Sequence, residues 1–154
     1  MGARTVVITD QFEETAFRAL NLTADKCRAK SPLCKVVVHE HSWGEDAAPL
    51  LKAAGGEKFG LVVASDCLYN PSCHEVLLES ARSIVEEKAG VFLVGYSLHG
   101  NVEGEAIHAF FDTARRFGFT VDKEWKVDHD RQKAAEWSSD KQRGNVFVKV
   151  LRLK

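Results

Sequence analysis

The sequence has 154 residues, of which 45% are hydrophobic and 28% charged, which suits one globular domain and argues against a disordered tail. Lys and Arg number 21 against 22 Asp and Glu, a formal net charge of -1, so no long-range pull toward nucleic acid or an anionic membrane is implied. No apolar run approaches the ~20 residues of a membrane span, and Met1 to Arg4 lack the basic and apolar stretches of a secretion signal. Cys27, Cys34, Cys67 and Cys73 contain no Cys-x-x-Cys pair. No metal site is therefore expected, and four reduced thiols in a cytoplasmic, or nuclear, setting are.

Thr5 to Thr9 is short, β-branched and apolar on both faces, which predicts a buried strand ended by Asp10. Glu13 to Lys26 carries Phe17, Leu20 and Ala24 at helical spacing, with Glu13 and Glu14 where the helix dipole favours acids. Ser31-Pro32 breaks the chain. A second strand opens at Val36 and ends near Glu40. Asp46 is placed to cap a short helix through Leu50, Leu51 and Ala54, with Gly55-Gly56 as its stop. Phe59 to Ala64 is a third buried strand, followed by Ser65-Asp66.

Pro71-Ser72 starts a helix through Leu77, Leu78, Ala81 and Val85, and Gly90 lies past its end. Val91 to Val94 is a fourth buried strand. Glu103 to Phe117 predicts a helix with Ile107, Phe110, Phe111 and Ala114 on its apolar face, closed by Gly118. Phe119 to Val121 begins a strand that alternates toward Trp125 and Val127. Asp128 to Gly144 is polar and reads as a loop, and Val146 to Leu151 is the final strand. The order β-α-β-α-β-α-β-α-β-β predicts a layered α/β domain, mostly parallel, whose last two strands pair as an antiparallel hairpin.

In open α/β sheets, ligands bind beyond the carboxyl ends of the strands. The first three strands each deliver polar groups there: Thr9-Asp10, then Glu40 with Ser42-Trp43-Gly44, then Ser65-Asp66-Cys67-Leu68-Tyr69. An acid at the end of the first strand suits two ribose hydroxyls, and a tryptophan in the next loop suits a base. Any one of these acids, alone, is more ordinarily a helix cap or a solvated loop residue. Three loops on one edge favour a nucleoside-type site. His39 and His41 alternate along a strand end and so face opposite sides, which argues against a metal pair. His74 reads as a capping or exposed residue, and a Cys67-His74 dyad is the weaker alternative.

Val7-Ile8-Thr9-Asp10, Leu20-Asn21, Ser42-Trp43-Gly44 and Ala64-Ser65-Asp66-Cys67-Leu68-Tyr69, in that order, resemble the seven-strand, class I protein-lysine methyltransferases. The Asp-x-x-Tyr segment is the most distinctive of these. The later segments fit as the fifth to seventh family strands, so the resemblance spans essentially residues 1-154 as a single partial domain of a three-layer Rossmann-like sheet. It implies S-adenosylmethionine as cofactor and a protein lysine as acceptor. By the same resemblance, Asp10 matches the ribose-binding acid, Trp43 an adenine-pocket tryptophan, and Ser65 a position whose backbone touches the cofactor. Asp66 and Tyr69 match the motif that orients the lysine. At Tyr96 to His99, many relatives carry an arginine that this sequence lacks, and in relatives the region of Asp128 to Arg143 borders the substrate.

The resemblance also implies a first strand and a glycine-rich turn ahead of Thr5, where this sequence has only Met1 to Arg4. In that fold the absent strand lies between the strands at Thr5 and at Phe59, so both would present unpaired edges. Three readings follow: part of a longer enzyme, a degenerate relative that pairs its strands differently or dimerises, or a chain completed by a partner. Under the second, a non-catalytic interaction module without cofactor binding is the competing function.

Overall fold

The computed structural model describes residues 2–97, 104–128 and 145–154. Its elements run β1 (Thr5–Asp10), α1 (Glu14–Lys30), β2 (Lys35–Glu40), α2 (Ala48–Ala54), β3 (Leu61–Ser65), a 3-10 turn (Pro71–Cys73), α3 (His74–Ile84), β4 (Val91–Ser97), α4 (Gly104–Arg116), β5 (Phe119–Asp128) and β6 (Asn145–Leu153). The expected alternation and the antiparallel ending are both present. The chain divides into two compact units, Met1–Phe59 and Gly60–Lys154.

In the first unit, β1 and β2 pair in parallel with Thr5 opposite Lys35 and Asp10 opposite Glu40. Helix α1 starts one residue later than its charge pattern suggests, because Glu13 is the cap itself. Its carboxylate accepts from the Thr15 and Ala16 amides at 3.0 and 2.7 Å, which lowers its pKa. The helix also runs past Lys26 to Lys30. Arg28 on that added turn donates from Nε and Nη2 to the Val36 carbonyl at 3.0 and 2.6 Å, tying α1 to β2. Helix α2 ends as a glycine stop, with Gly55 at φ 102° and the Gly56 amide bonded to the Leu51 carbonyl at 2.7 Å.

The second unit is a four-stranded sheet in the order β3-β4-β6-β5. β3 and β4 are parallel, while β6 is antiparallel to both β4 and β5. Alternation puts Phe92, Val94 and Tyr96 of β4 on one face, opposite Leu151, Lys149 and Phe147 of β6. Helix α4 lays Phe111 on that face. Tyr96 meets Phe111 at 5.4 Å and stacks on Phe147 at 5.5 Å, and the Lys149 ammonium sits 4.3 Å from the Phe111 ring centre. Phe92, Phe110, Leu78 and Leu151 are fully enclosed.

The opposite face carries Leu61 and Val63 on β3, Val91 and Leu93 on β4, Val148 and Val150 on β6 and Trp125 on β5, as the registers require. Neither α3 nor α4 covers it. Leu61 and Val63 are each 56% exposed, and on β1 Val6 is 37% exposed. The sequence leads one to expect these strands to be buried on both faces, and the structure differs there. Among the described residues, β1 pairs only with β2 and β3 only with β4.

Two histidines are enclosed, His41 and His74, each 6% exposed. Burial holds both below the usual imidazole pKa of 6.5, because the charged ring loses its hydration there. The unfolded chain therefore binds more protons, and stability falls as pH drops below 6.5, by at most about 1.4 kcal/mol per histidine per pH unit. The depressed Glu13 and Glu86 carboxyls contribute stability that is lost only below 4.5. Urea midpoints should be level from about pH 8 to 6.5 and then decline toward about pH 5. A midpoint that stays level until the carboxylates protonate would contradict this. Truncating the enclosed ring in Phe110→Ala should cost about 3–5 kcal/mol in the same assay, and a cost under about 1 kcal/mol would place Phe110 outside the core.

Candidate functional site

The polar groups expected at the carboxyl ends of the parallel strands are there, in two sets, one in each unit. In the first unit, Asp10 ends β1 with its carboxylate exposed, and Oδ1 accepts from the Gln11 amide at 2.8 Å. The His41 amide donates to the Asp10 carbonyl at 2.9 Å, which continues the β1–β2 pairing one residue past the strand. The chain then turns at Ser42-Trp43-Gly44-Glu45, closed by the Glu45 amide on the Ser42 carbonyl at 3.1 Å. Gly44 has φ 90°, which a type II turn requires at its third position and which leaves Trp43 at the corner. The Glu45 carboxylate accepts from the Ser42 amide at 3.2 Å and stiffens the turn. Asp10 and Trp43 thus share one strand edge.

The His41 ring, at the start of this loop, is buried, and its Nε2 has no hydrogen-bond partner among the described residues. A buried polar atom left so is uncommon. His39, by contrast, donates from Nδ1 to the Glu40 carbonyl at 2.6 Å.

In the second unit, Ser65 ends β3 opposite Gly95 of β4. Asp66 follows with φ 58°, and it is the non-glycine residue with positive φ among those described. An aspartate tolerates this left-handed conformation better than most residues, yet it still stores roughly 1–2 kcal/mol of strain. Such strain persists only where the surroundings impose it, and those surroundings are visible. The Asp66 amide donates to the Gly95 carbonyl at 2.7 Å, and Ser97 Oγ donates to Asp66 Oδ1 at 3.4 Å. Leu68 is buried, whereas Tyr69 is 61% exposed. Asn70 closes the loop by accepting at Oδ1 from the Ser72 amide at 3.1 Å and from its hydroxyl at 2.7 Å.

Cys67 Sγ donates to the Ser65 carbonyl at 3.4 Å, and His74 Nε2 lies 3.3 Å from the Leu68 carbonyl. Each thus engages the loop backbone. His74, which the sequence suggests is capping or exposed, is buried beneath the loop. Ser97 and Gly95 were not singled out from the sequence. The parallel register sets Ser65 against Gly95, so the end of the strand after β3 was the place to look. Tyr96 is enclosed and its hydroxyl pKa is raised, first by burial and then by Glu124. Leu98 and His99, and all but the first residue of the expected substrate-bordering segment Asp128 to Arg143, lie outside the described residues.

In the first unit, an exposed acid and an indole on one strand edge suit vicinal hydroxyls and a base in kind. The 154 residues contain no Gly-x-Gly turn.

Residues 1–116 match the family model described as lysine methyltransferase. Among curated relatives, a protein N-terminal and lysine N-methyltransferase EFM7 from Debaryomyces hansenii is 34% identical over 123 residues, covering 77% of this chain and 48% of that protein. The protein of the same name from Candida albicans is 30% identical over 129 residues, covering 79% and 49%. That from Yarrowia lipolytica is 27% identical over 168 residues, covering 100% and 62%. The chain thus spans 48–62% of the length of these relatives. Among solved structures, a TehB-like SAM-dependent methyltransferase from Corynebacterium glutamicum aligns with a TM-score of 0.57 at 16% identity, over 97% of this chain and 68% of that one. A Methanococcus jannaschii fibrillarin pre-rRNA processing protein gives 0.58 at 15%, over 97% and 56%. The fold is that of the S-adenosylmethionine-dependent methyltransferases, and the chain belongs to the lysine methyltransferase family.

Proposed function

We propose that this chain carries the acceptor-orienting loop and part of the cofactor site of an S-adenosylmethionine-dependent protein methyltransferase that acts on lysine. The observation that carries this reading is the Asp66-x-x-Tyr69 loop. It sits at the carboxyl end of a parallel strand, it holds backbone strain at its acid, and it displays an exposed tyrosine. The names of the relatives add protein N-termini as acceptors. Both acceptors are primary amines, so one loop chemistry serves either.

When bound, the cofactor supplies a methyl group activated on a sulfonium sulfur. The chain's own task is positioning. Asp10 would accept from the ribose hydroxyls, Trp43 would wall the adenine, and the Ser65 backbone would meet the nucleoside. Asp66 and Tyr69 would hold the acceptor nitrogen in line, with its lone pair free. A neutral amine needs alignment and exclusion of water more than a strong base.

The two units read as parts of one methyltransferase-like domain. The open edges of β1 and β3 and the bare face at Leu61, Val63 and Trp125 fit a sheet completed by a further segment, from a longer polypeptide or a second copy. The alternative reading is an interaction module without cofactor binding. The near-neutral charge supports a protein partner over nucleic acid, and a cytoplasmic setting fits four cysteines held outside any disulfide. Among the described residues, no helix is long and apolar enough to cross a membrane.

Calorimetric titration of S-adenosylhomocysteine tests the cofactor site. The chain should bind, and Asp10→Ala should weaken binding about tenfold to a hundredfold, the worth of hydrogen bonds to a charged acceptor. No binding by the folded chain would remove the cofactor site from this chain alone and favour the interaction module. Asp66→Gly tests the loop. It relieves the left-handed strain, so thermal stability should stay within about 1 kcal/mol of the parent. Transfer of tritiated methyl from S-adenosylmethionine into a hypomethylated protein extract should fall at least about tenfold. Undiminished transfer by Asp66→Gly would strip Asp66 of its assigned role.

A further inference from the structure

Tyr69 is largely solvated, so its own packing does not fix it. Its position is inherited from its neighbours. On the amino side is Leu68, which is 2% exposed. On the carboxyl side are Asn70 and the 3-10 turn that it caps. Leu68 stands two residues after Asp66 and immediately before Tyr69, so restraining its peptide restrains both.

His74 does this from below. It is the first residue of α3, it is buried, and its Nε2 lies 3.3 Å from the Leu68 carbonyl. A carbonyl can only accept, so Nε2 carries the hydrogen. The ring is held in turn by Phe110 of α4, edge to face at 5.1 Å and 82°. That contact connects the loop to the aromatic core, because Phe110 meets Phe111 at 5.2 Å and Phe111 meets Tyr96 of β4 at 5.4 Å.

We propose that His74 is a positioning residue for methyl transfer: its Nε2–H, braced by Phe110, holds the Leu68 carbonyl and thereby sets Tyr69 and Asp66 relative to the acceptor amine. This rests on the reading of Asp66 to Tyr69 as the acceptor loop. Burial keeps the ring neutral at ordinary pH, which suits a packed hydrogen-bond donor.

Two variants separate the donor from the ring. His74→Phe keeps an aromatic against Phe110 and removes the donor, whereas His74→Gln keeps an N–H donor and removes the ring. Three quantities are read on the whole chain: amide hydrogen exchange at residues 66–70, the thermal midpoint, and kcat with KM for S-adenosylmethionine in the tritiated-methyl assay. In His74→Phe, exchange at 67–70 should speed up about tenfold, and kcat should fall by about 10- to 100-fold with KM unchanged, as misplacement near the reacting atoms does. His74→Gln should recover most of the protection and of kcat. Unchanged exchange in His74→Phe would overturn the proposal, and so would a loosened loop with unaltered kcat or no recovery in His74→Gln. Should His74→Phe fail to fold, parent-like protection and kcat in His74→Gln sustain the proposal, and their loss rejects it. If the parent chain transfers no methyl, the exchange data still decide whether His74 holds the loop, and it is the functional reading of the loop that falls.

Discussion

A parallel strand needs a hydrogen-bonding neighbour on each edge and apolar cover on each face, because it comes from the interior of a layered sheet. Much in this molecule follows from how far that requirement is met. β4 meets it best: β3 and β6 flank it, and Phe92, Val94 and Tyr96 press into the helical layer. Among the described residues, β3 has one partner and one covered face. Its alternation shows the consequence, with Ala64 enclosed and Leu61 and Val63 in water. β1 likewise has one partner among the described residues. Exposed apolar residues on an open parallel edge mark a surface that another segment is shaped to cover.

The same geometry places the chemistry. Side chains at the carboxyl end of a parallel strand leave the ladder together, so Asp10 and the Trp43 turn share an edge without any long-range folding device. One hydrogen bond, from the His41 amide to the Asp10 carbonyl, extends the ladder just far enough to register them. On β3 the device is different. The strand stops because Asp66 turns left-handed, and the Gly95 carbonyl and Ser97 hydroxyl of β4 hold it there. Asp66 is the non-glycine residue with positive φ among those described, and it stands three residues before an exposed tyrosine. Local rules are broken chiefly where function requires it.

Much of this was legible in the sequence because it is local. Gly55-Gly56 announced the end of α2, and the spacing of Ile107, Phe110, Phe111 and Ala114 announced the buried face of α4; all four are enclosed. The extension of α1 to Lys30 was not legible. Cys27-Arg28-Ala29-Lys30 has no apolar period, and what stabilises it is the reach of Arg28 to the Val36 carbonyl, a contact that spacing does not reveal. The exposure of Val6, Leu61 and Val63 was misjudged for a related reason. Hydrophobic composition records the cover for which a residue is suited, whatever chain or segment provides it. Asp66, Tyr69, Asp10, Trp43 and Ser65 were marked as candidates through the family pattern at strand ends. Ser97 and His74 were not, because each acts on the backbone or side chain of another residue and carries no motif of its own.

Methyl transfer to an amine draws little on acid–base strength and heavily on alignment. For such a reaction the decisive property of a loop is how few positions it can adopt. The Asp66 to Tyr69 loop is tethered at Asp66 by two groups of β4, at Leu68 by burial and by the His74 ring, and at Asn70 by its cap on the 3-10 turn. All of these tethers come from Gly60–Lys154. The loop proposed to orient the acceptor is therefore organised within its own unit.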